Sequence, residues 1–203
     1  MSARYRQARF LISAYDFKQL PAGSGLEVAF AGRSNAGKSS ALNVLTGQKA
    51  LARISKTPGR TQLINFFEVE PERYLVDLPG YGYAKVPEPM RRHWRKVLAQ
   101  YLNERSALQG LFLLMDIRHP LTELDRQMLL WCAHRPLPIH VLLTKSDKLK
   151  QGASLTALRH VHQTLARDYP HASVQLFSAV KRVGISEAHE QLDCWLGFSS
   201  ATQ

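Results

Sequence analysis

Cysteine is scarce in this sequence: Cys132 and Cys194 are its two, far apart and outside any C-x-x-C pair. That spacing excludes a disulfide framework and a thiolate metal site, and reads as two buried thiols in a reducing compartment. The eight histidines are scattered. No H-E-x-x-H motif occurs, and His160 and His162 would leave a helix on different faces, so a zinc site is not expected. No apolar run reaches the roughly 20 residues needed to cross a bilayer, and the N-terminus lacks the apolar core of a secretory signal. The expectation is a cytoplasmic protein without a membrane partner. Internal repeats and low-complexity tracts are absent too. Negative charge is the last shortage: 16 Asp and Glu face 27 Lys and Arg, a net charge of +11.

What is present begins with periodicity. The 203 residues suffice for one α/β domain with a proper core. Apolar, strand-like runs at 26–31, 63–69, 73–76, 111–115, 139–143 and 172–177 alternate mostly with amphipathic helical stretches. The tight connection Glu70-Pro71-Glu72-Arg73 makes the second and third runs an antiparallel hairpin, and the other links are long enough for helical crossovers. The expected architecture is a three-layer α/β fold: six strands, mostly parallel with one antiparallel, and helices on both faces. A basic extension over 1–25 precedes the domain, which spans 26–199.

The most informative stretch is Gly32-Arg33-Ser34-Asn35-Ala36-Gly37-Lys38-Ser39, which fits the phosphate-loop pattern G-x-x-x-x-G-K-[ST]. The run Leu26–Ala31 precedes it as a strand and Ser40–Thr46 follows as a helix, the context this motif needs. Glycines let successive backbone N–H groups turn toward phosphate oxygens at a helix N-terminus. Lys38 then reaches the β- and γ-phosphates, and the Ser39 hydroxyl ligates Mg²⁺.

Further segments follow in the order that a guanine-nucleotide switch requires. Asp77-Leu78-Pro79-Gly80 offers a carboxylate for the Mg²⁺ shell and a backbone N–H for a γ-phosphate. Thr144-Lys145-Ser146-Asp147 is a variant of N-K-x-D: a carboxylate accepts two hydrogen bonds from guanine N1–H and the exocyclic amine, a pairing adenine does not offer. Phe177-Ser178-Ala179, with Lys181 beyond, is similar to the S-A-x-K loop whose amide caps guanine O6. Between the first helix and the second strand, Gly59-Arg60-Thr61-Gln62-Leu63 supplies a loop with Thr61 as second protein ligand of Mg²⁺. Thr57 competes for that role, and an ordinary Pro-Gly turn fits the segment as well.

Together these residues resemble the EngB (YihA/YsxC) family of ribosome-biogenesis GTPases, within the translation-factor class. The likeness rests on Gly32–Ser40, Thr57–Phe67, Asp77–Ala84 and Thr144–Lys148 and runs from about Phe10 to Leu196. Thr144 matches the family's own form of the guanine motif. The resemblance implies a P-loop G domain that binds GTP and GDP with Mg²⁺, hydrolyses GTP, acts on the large ribosomal subunit or its precursor, and is needed for normal cell division and septation; a monomer is expected. In Ras-like proteins Gln follows the D-x-x-G glycine; here Tyr81 stands there, so unassisted hydrolysis is expected at about 10⁻⁴ to 10⁻³ s⁻¹. Asn35 occupies the place where related GTPases help bind K⁺, although a polar turn residue explains it equally well.

The surplus of positive charge exceeds what one nucleotide needs and reads as the footprint of a polyanion. It gathers in Arg4, Arg6 and Arg9 and in Arg91, Arg92, Arg95 and Lys96, whose i,i+4 spacing makes a basic stripe on one helix. Trp94, Tyr81 and Tyr83 lie near enough in sequence to stack on RNA bases, or to pack locally. Two other readings compete: a P-loop kinase or ATPase, and an RNA-binding protein whose nucleotide site only stabilises the fold.

Overall fold

Seven strands form one sheet in the computed structural model, which describes residues 3–23, 25–52, 63–82, 87–133 and 135–198. They are β1 (Arg9–Ala14), β2 (Leu26–Gly32), β3 (Ile64–Glu70), β4 (Arg73–Asp77), β5 (Leu108–Asp116), β6 (Ile139–Thr144) and β7 (Ala172–Leu176). Their order is β1-β3-β4-β2-β5-β6-β7. β3 runs against both its neighbours, and every other pairing is parallel. The expected six-strand sheet with one reversed strand therefore gains a seventh member. β1 lies inside the stretch read from sequence as a basic extension. It pairs with β3 at the sheet edge, where most of its residues remain exposed, so no burial pattern marks it in the sequence.

Alternation within the buried strands builds two cores. Val28 and Phe30 of β2, with Phe112 and Leu114 of β5, face one side. There they meet α1 (Lys38–Thr46) and α5 (Ile185–Trp195). Ala29, Ala31, Leu111 and Leu113 face the other, against α2 (Glu88–Glu104), α3 (Glu123–Cys132) and α4 (Gln151–Asp168). A strand with helices over both faces reads as a continuous apolar run, as 111–115 does. Among the described residues no helix is long and apolar enough to cross a membrane.

The N-terminal segment packs on the first of these cores. Tyr5 is fully buried, stacks on His189 at 5.0 Å and donates to the Asp193 carboxylate at 2.7 Å. Burial and that carboxylate push its phenol well above the ordinary value. Arg4 pairs with Glu70 at 2.8 Å, and Arg9 with Glu68 at 2.6 Å. These two arginines of the N-terminal basic cluster are thus engaged by the β3 edge.

Under the second core lies a buried charge. Glu27 of β2 is fully enclosed, accepting from the Tyr101 hydroxyl at 2.8 Å and from Arg105 Nε at 2.8 Å. Arg105 also donates to the Pro21 carbonyl at 2.8 Å. This network fixes the C-terminal end of α2 to the central strand. Glu27→Ala would leave Arg105 without its counter-charge, and is expected to lower unfolding stability by about 3–5 kcal/mol. Urea unfolding followed by circular dichroism checks this; a loss below about 1 kcal/mol would mean that Arg105 finds water instead.

Candidate functional site

The carboxyl ends of β2, β4, β5 and β6 converge on one edge of the sheet, where open α/β folds hold their ligands. Gly32 closes β2 and leads into the loop to α1. A Cβ there would lie 2.9 Å from the Leu114 carbonyl, so glycine lets the loop approach β5. Gly37 caps α1 with φ +94°, in the left-handed region that favours glycine. α1 then begins at Lys38, placing Lys38 and Ser39 in its first turn.

Asp77 ends β4 beside Phe30 of β2 and is almost completely buried. Its carboxylate pairs with the Lys38 ammonium. The next residues fold back along the phosphate loop: Leu78 N–H donates to the Phe30 carbonyl at 3.0 Å, and Ser34 N–H donates to the Tyr81 carbonyl at 2.9 Å. Arg33 and Tyr81 form a parallel bridge. Pro79 and Gly80 lie between these two anchors, Leu78 on β2 and Tyr81 on the phosphate loop.

Tyr81 is anchored by its side chain as well. Its hydroxyl lies 3.3 Å from Asp125 of α3, a fully buried carboxylate that also accepts from the Thr122 hydroxyl at 2.7 Å and caps the helix. Arg33 Nε sits 3.5 Å from the same carboxylate. Burial, then Asp125, pushes the Tyr81 phenol well above its ordinary value. Nothing in the sequence pattern singled out Asp125, and its cap with Thr122 at the start of α3 emerges only in the structure.

On the other side of the loop, Thr144 ends β6. Its hydroxyl donates to the Ala36 carbonyl at 2.6 Å and lies 3.1 Å from the Met115 carbonyl. Lys145, at φ +58°, reaches back to the Asn35 carbonyl at 2.7 Å and to Asp116 at 2.9 Å. Asp116, the last residue of β5, is held well below the usual carboxylate range, first by Arg118 and then by Lys145. It is a site residue that the sequence reading passed over, although an Asp directly after the apolar run 111–115 was its signal. Asn35 itself is exposed with φ +64°, the backbone of a turn residue.

Ser146 N–H donates to the Phe177 carbonyl at 3.2 Å, joining the two loops expected to hold the base. The buried Ser178 hydroxyl donates to Asp147 Oδ1 at 2.6 Å and accepts from Lys181 N–H at 3.0 Å. That bond is the main cause holding Asp147 below its ordinary value. Ser178 thus orients the carboxylate, while Ala179 follows it in the same loop. Thr57, Gly59, Arg60, Thr61, Gln62 and Tyr83 lie outside the described residues; Leu63, just before β3, is the one described member of the expected first switch.

α2 carries the basic stripe. Glu88 pairs with Arg91 at 2.6 Å and lies 3.7 Å from Arg92, so the stripe is partly compensated at its start. Among the described residues, Arg95 and Lys96 have no acidic partner.

Comparison with known proteins agrees with this geometry. The family model described as 50S ribosome-binding GTPase matches residues 27–145. The chain is 57% identical over 197 residues to the probable GTP-binding protein EngB of Nitrosococcus oceani, covering 97% of this chain and 98% of that one. It is 54% identical over 191 residues to the Escherichia coli protein of the same name, covering 94% and 91%. Among solved structures, a probable GTP-binding protein engB superposes with TM-score 0.64 at 18% identity, over 85% of this chain and 99% of that one. A single-substitution variant of Aquifex aeolicus Era bound to GDP.AlF4⁻ superposes with TM-score 0.66 at 22% identity, over 86% and 57%. These two structures speak for the fold, and the curated relatives for the family. More than half identical to these relatives over nearly the whole of both chains, the chain belongs to the EngB family of GTP-binding proteins and is a P-loop GTPase.

Proposed function

We propose that this GTPase is a switch in assembly of the large ribosomal subunit, binding it with GTP and leaving after hydrolysis. The observation that carries the reading is the joined pair of loops: a phosphate loop with Lys38 against Asp77, and Asp147 held ready by Ser178. The matched family's description adds the ribosomal partner. In this reading the backbone of Gly32–Gly37 and Lys38 hold the phosphates, and Asp147 reads guanine with Thr144, Lys145, Ser146 and the Phe177–Ala179 loop around it. Gly80 N–H senses the γ-phosphate. The protein works as a cytoplasmic monomer, and septation depends on it through the supply of ribosomes.

The residues present fit Mg²⁺. Asp77 is a buried carboxylate whose one cationic neighbour among the described residues is Lys38, leaving lone pairs for waters of a hydrated ion, and Ser39 follows Lys38 in the first turn of α1. Ser39 and Thr61 would be its protein ligands. The ion supplies charge neutralisation at the phosphates.

Tyr81 gives the reading its slow clock. Its hydroxyl is engaged by Asp125 and its phenol stays protonated, so it neither orients nor deprotonates an attacking water. A K⁺ held near Asn35 would compensate by neutralising charge that develops during hydrolysis. A P-loop kinase or ATPase is the weaker reading, because Asp147 is already oriented by Ser178 for a donor pair that adenine lacks.

Three measurements check this. Asp147→Asn should reduce the preference for GTP over ATP in competition binding by at least about tenfold; unchanged discrimination would place the base elsewhere. Replacing Na⁺ by K⁺ at equal ionic strength should raise single-turnover hydrolysis at least about tenfold, and equal rates would remove Asn35 from the mechanism. In sucrose gradients the protein should travel with large subunits when loaded with a non-hydrolysable GTP analogue and not with GDP. Equal binding in both states, lost steeply with salt, would mean nonspecific adhesion to RNA.

A further inference from the structure

Between the Pro79–Gly82 loop, α2 and α3 lies a cavity of about 280 Å³. Its size is near the lower end of the roughly 300–1,000 Å³ of ligand pockets, room for one flat ring system. Trp94 of α2 and Leu124, Met128 and Trp131 of α3 make its walls, with Gly80 and Tyr81 on the loop side. Its lining, among the described residues, includes no acid; its charged members are Arg91 and Arg95. Two shielded groups here, Trp94 Nε1 and Arg91 Nε, have no acceptor among the described residues. Both are donors only.

We propose that this cleft takes a single unpaired base of ribosomal RNA, stacked on Trp94, with neighbouring phosphates on Arg95 and Lys96. Three features of the cleft favour an RNA base over a protein side chain. Aromatic walls accept the face of any base. Base edges carry the acceptors that the two orphaned donors lack. Arg95 and Lys96, exposed on α2 and without acidic partners among the described residues, face a polyanion at no cost in broken ion pairs. Because Gly80 belongs both to the cleft and to the loop beside the phosphate site, entry of the base is tied to the bound nucleotide. The proposal rests on the large-subunit reading above and adds the contact through which that partner is held.

The test uses the full chain loaded with a non-hydrolysable GTP analogue, purified large subunits, and protein-free RNA extracted from them. Four proteins are compared: wild type, Trp94→Ala, Gln127→Phe, which fills the cleft from α3, and the double variant Arg95→Glu/Lys96→Glu. Unchanged GTP affinity and thermal midpoint certify each fold, and Gln127→Phe serves if Trp94→Ala unfolds. Expected is a loss of at least about fivefold in affinity for both subunits and free RNA with either cleft variant, and a loss with the double variant that shrinks as salt is raised. If the double variant weakens binding while both cleft variants bind like wild type, the cleft is overturned and the basic face stands. Loss on intact subunits with none on free RNA would assign the cleft to a protein side chain and overturn the base. Failure of the wild type to bind subunits at all would overturn the large-subunit reading, and this proposal with it.

Discussion

One hydroxyl joins the two halves of the nucleotide site. Thr144 Oγ1 donates to the Ala36 carbonyl at 2.6 Å, in a buried place where an unmet carbonyl is expensive. Lys145 adds a second stitch to the Asn35 carbonyl and is itself held by Asp116. The base-reading loop and the phosphate loop are therefore one body, fixed by side-chain to backbone bonds. That body also explains why threonine serves where related motifs carry asparagine: the position needs a short donor aimed at Ala36, and a hydroxyl provides it.

The sheet makes this possible by bringing distant segments to one edge. Phe30 faces Asp77, Gly32 faces Leu114, and Asp116 faces Thr144 in register, so four loops emerge side by side. The same packing that buries Val28 to Ala31 on both faces fixes where Lys38 meets Asp77. On the far side, Tyr81 is held by its backbone to Ser34 and by its hydroxyl to Asp125. The phosphate loop is thereby bonded to α3 through Tyr81.

Local patterns made the phosphate loop, Asp77, Asp147 and six of the seven strands legible, because glycine spacing and apolar runs are properties of adjacent residues. β1 was hidden because its side chains stay exposed and only its pairing with β3 makes it a strand. The roles of Asp116 and Asp125 were hidden for a different reason. Each acts through a partner far along the chain, Lys145 for one and Tyr81 for the other, and neither distance is written in spacing. The basic stripe shows the opposite error: the arginines were visible, while the Glu88 that compensates two of them was read past.

Calorimetric titration with GDP on Thr144→Val and Thr144→Asn tests the joined site most directly. Valine keeps the shape and removes the donor, leaving the Ala36 carbonyl unmet; asparagine returns a donor. The account predicts at least about tenfold weaker GDP binding for valine, recovered to near wild type by asparagine, with thermal midpoints close together. Wild-type affinity in the valine protein would show that the two loops hold their places without this bond, and would contradict the account.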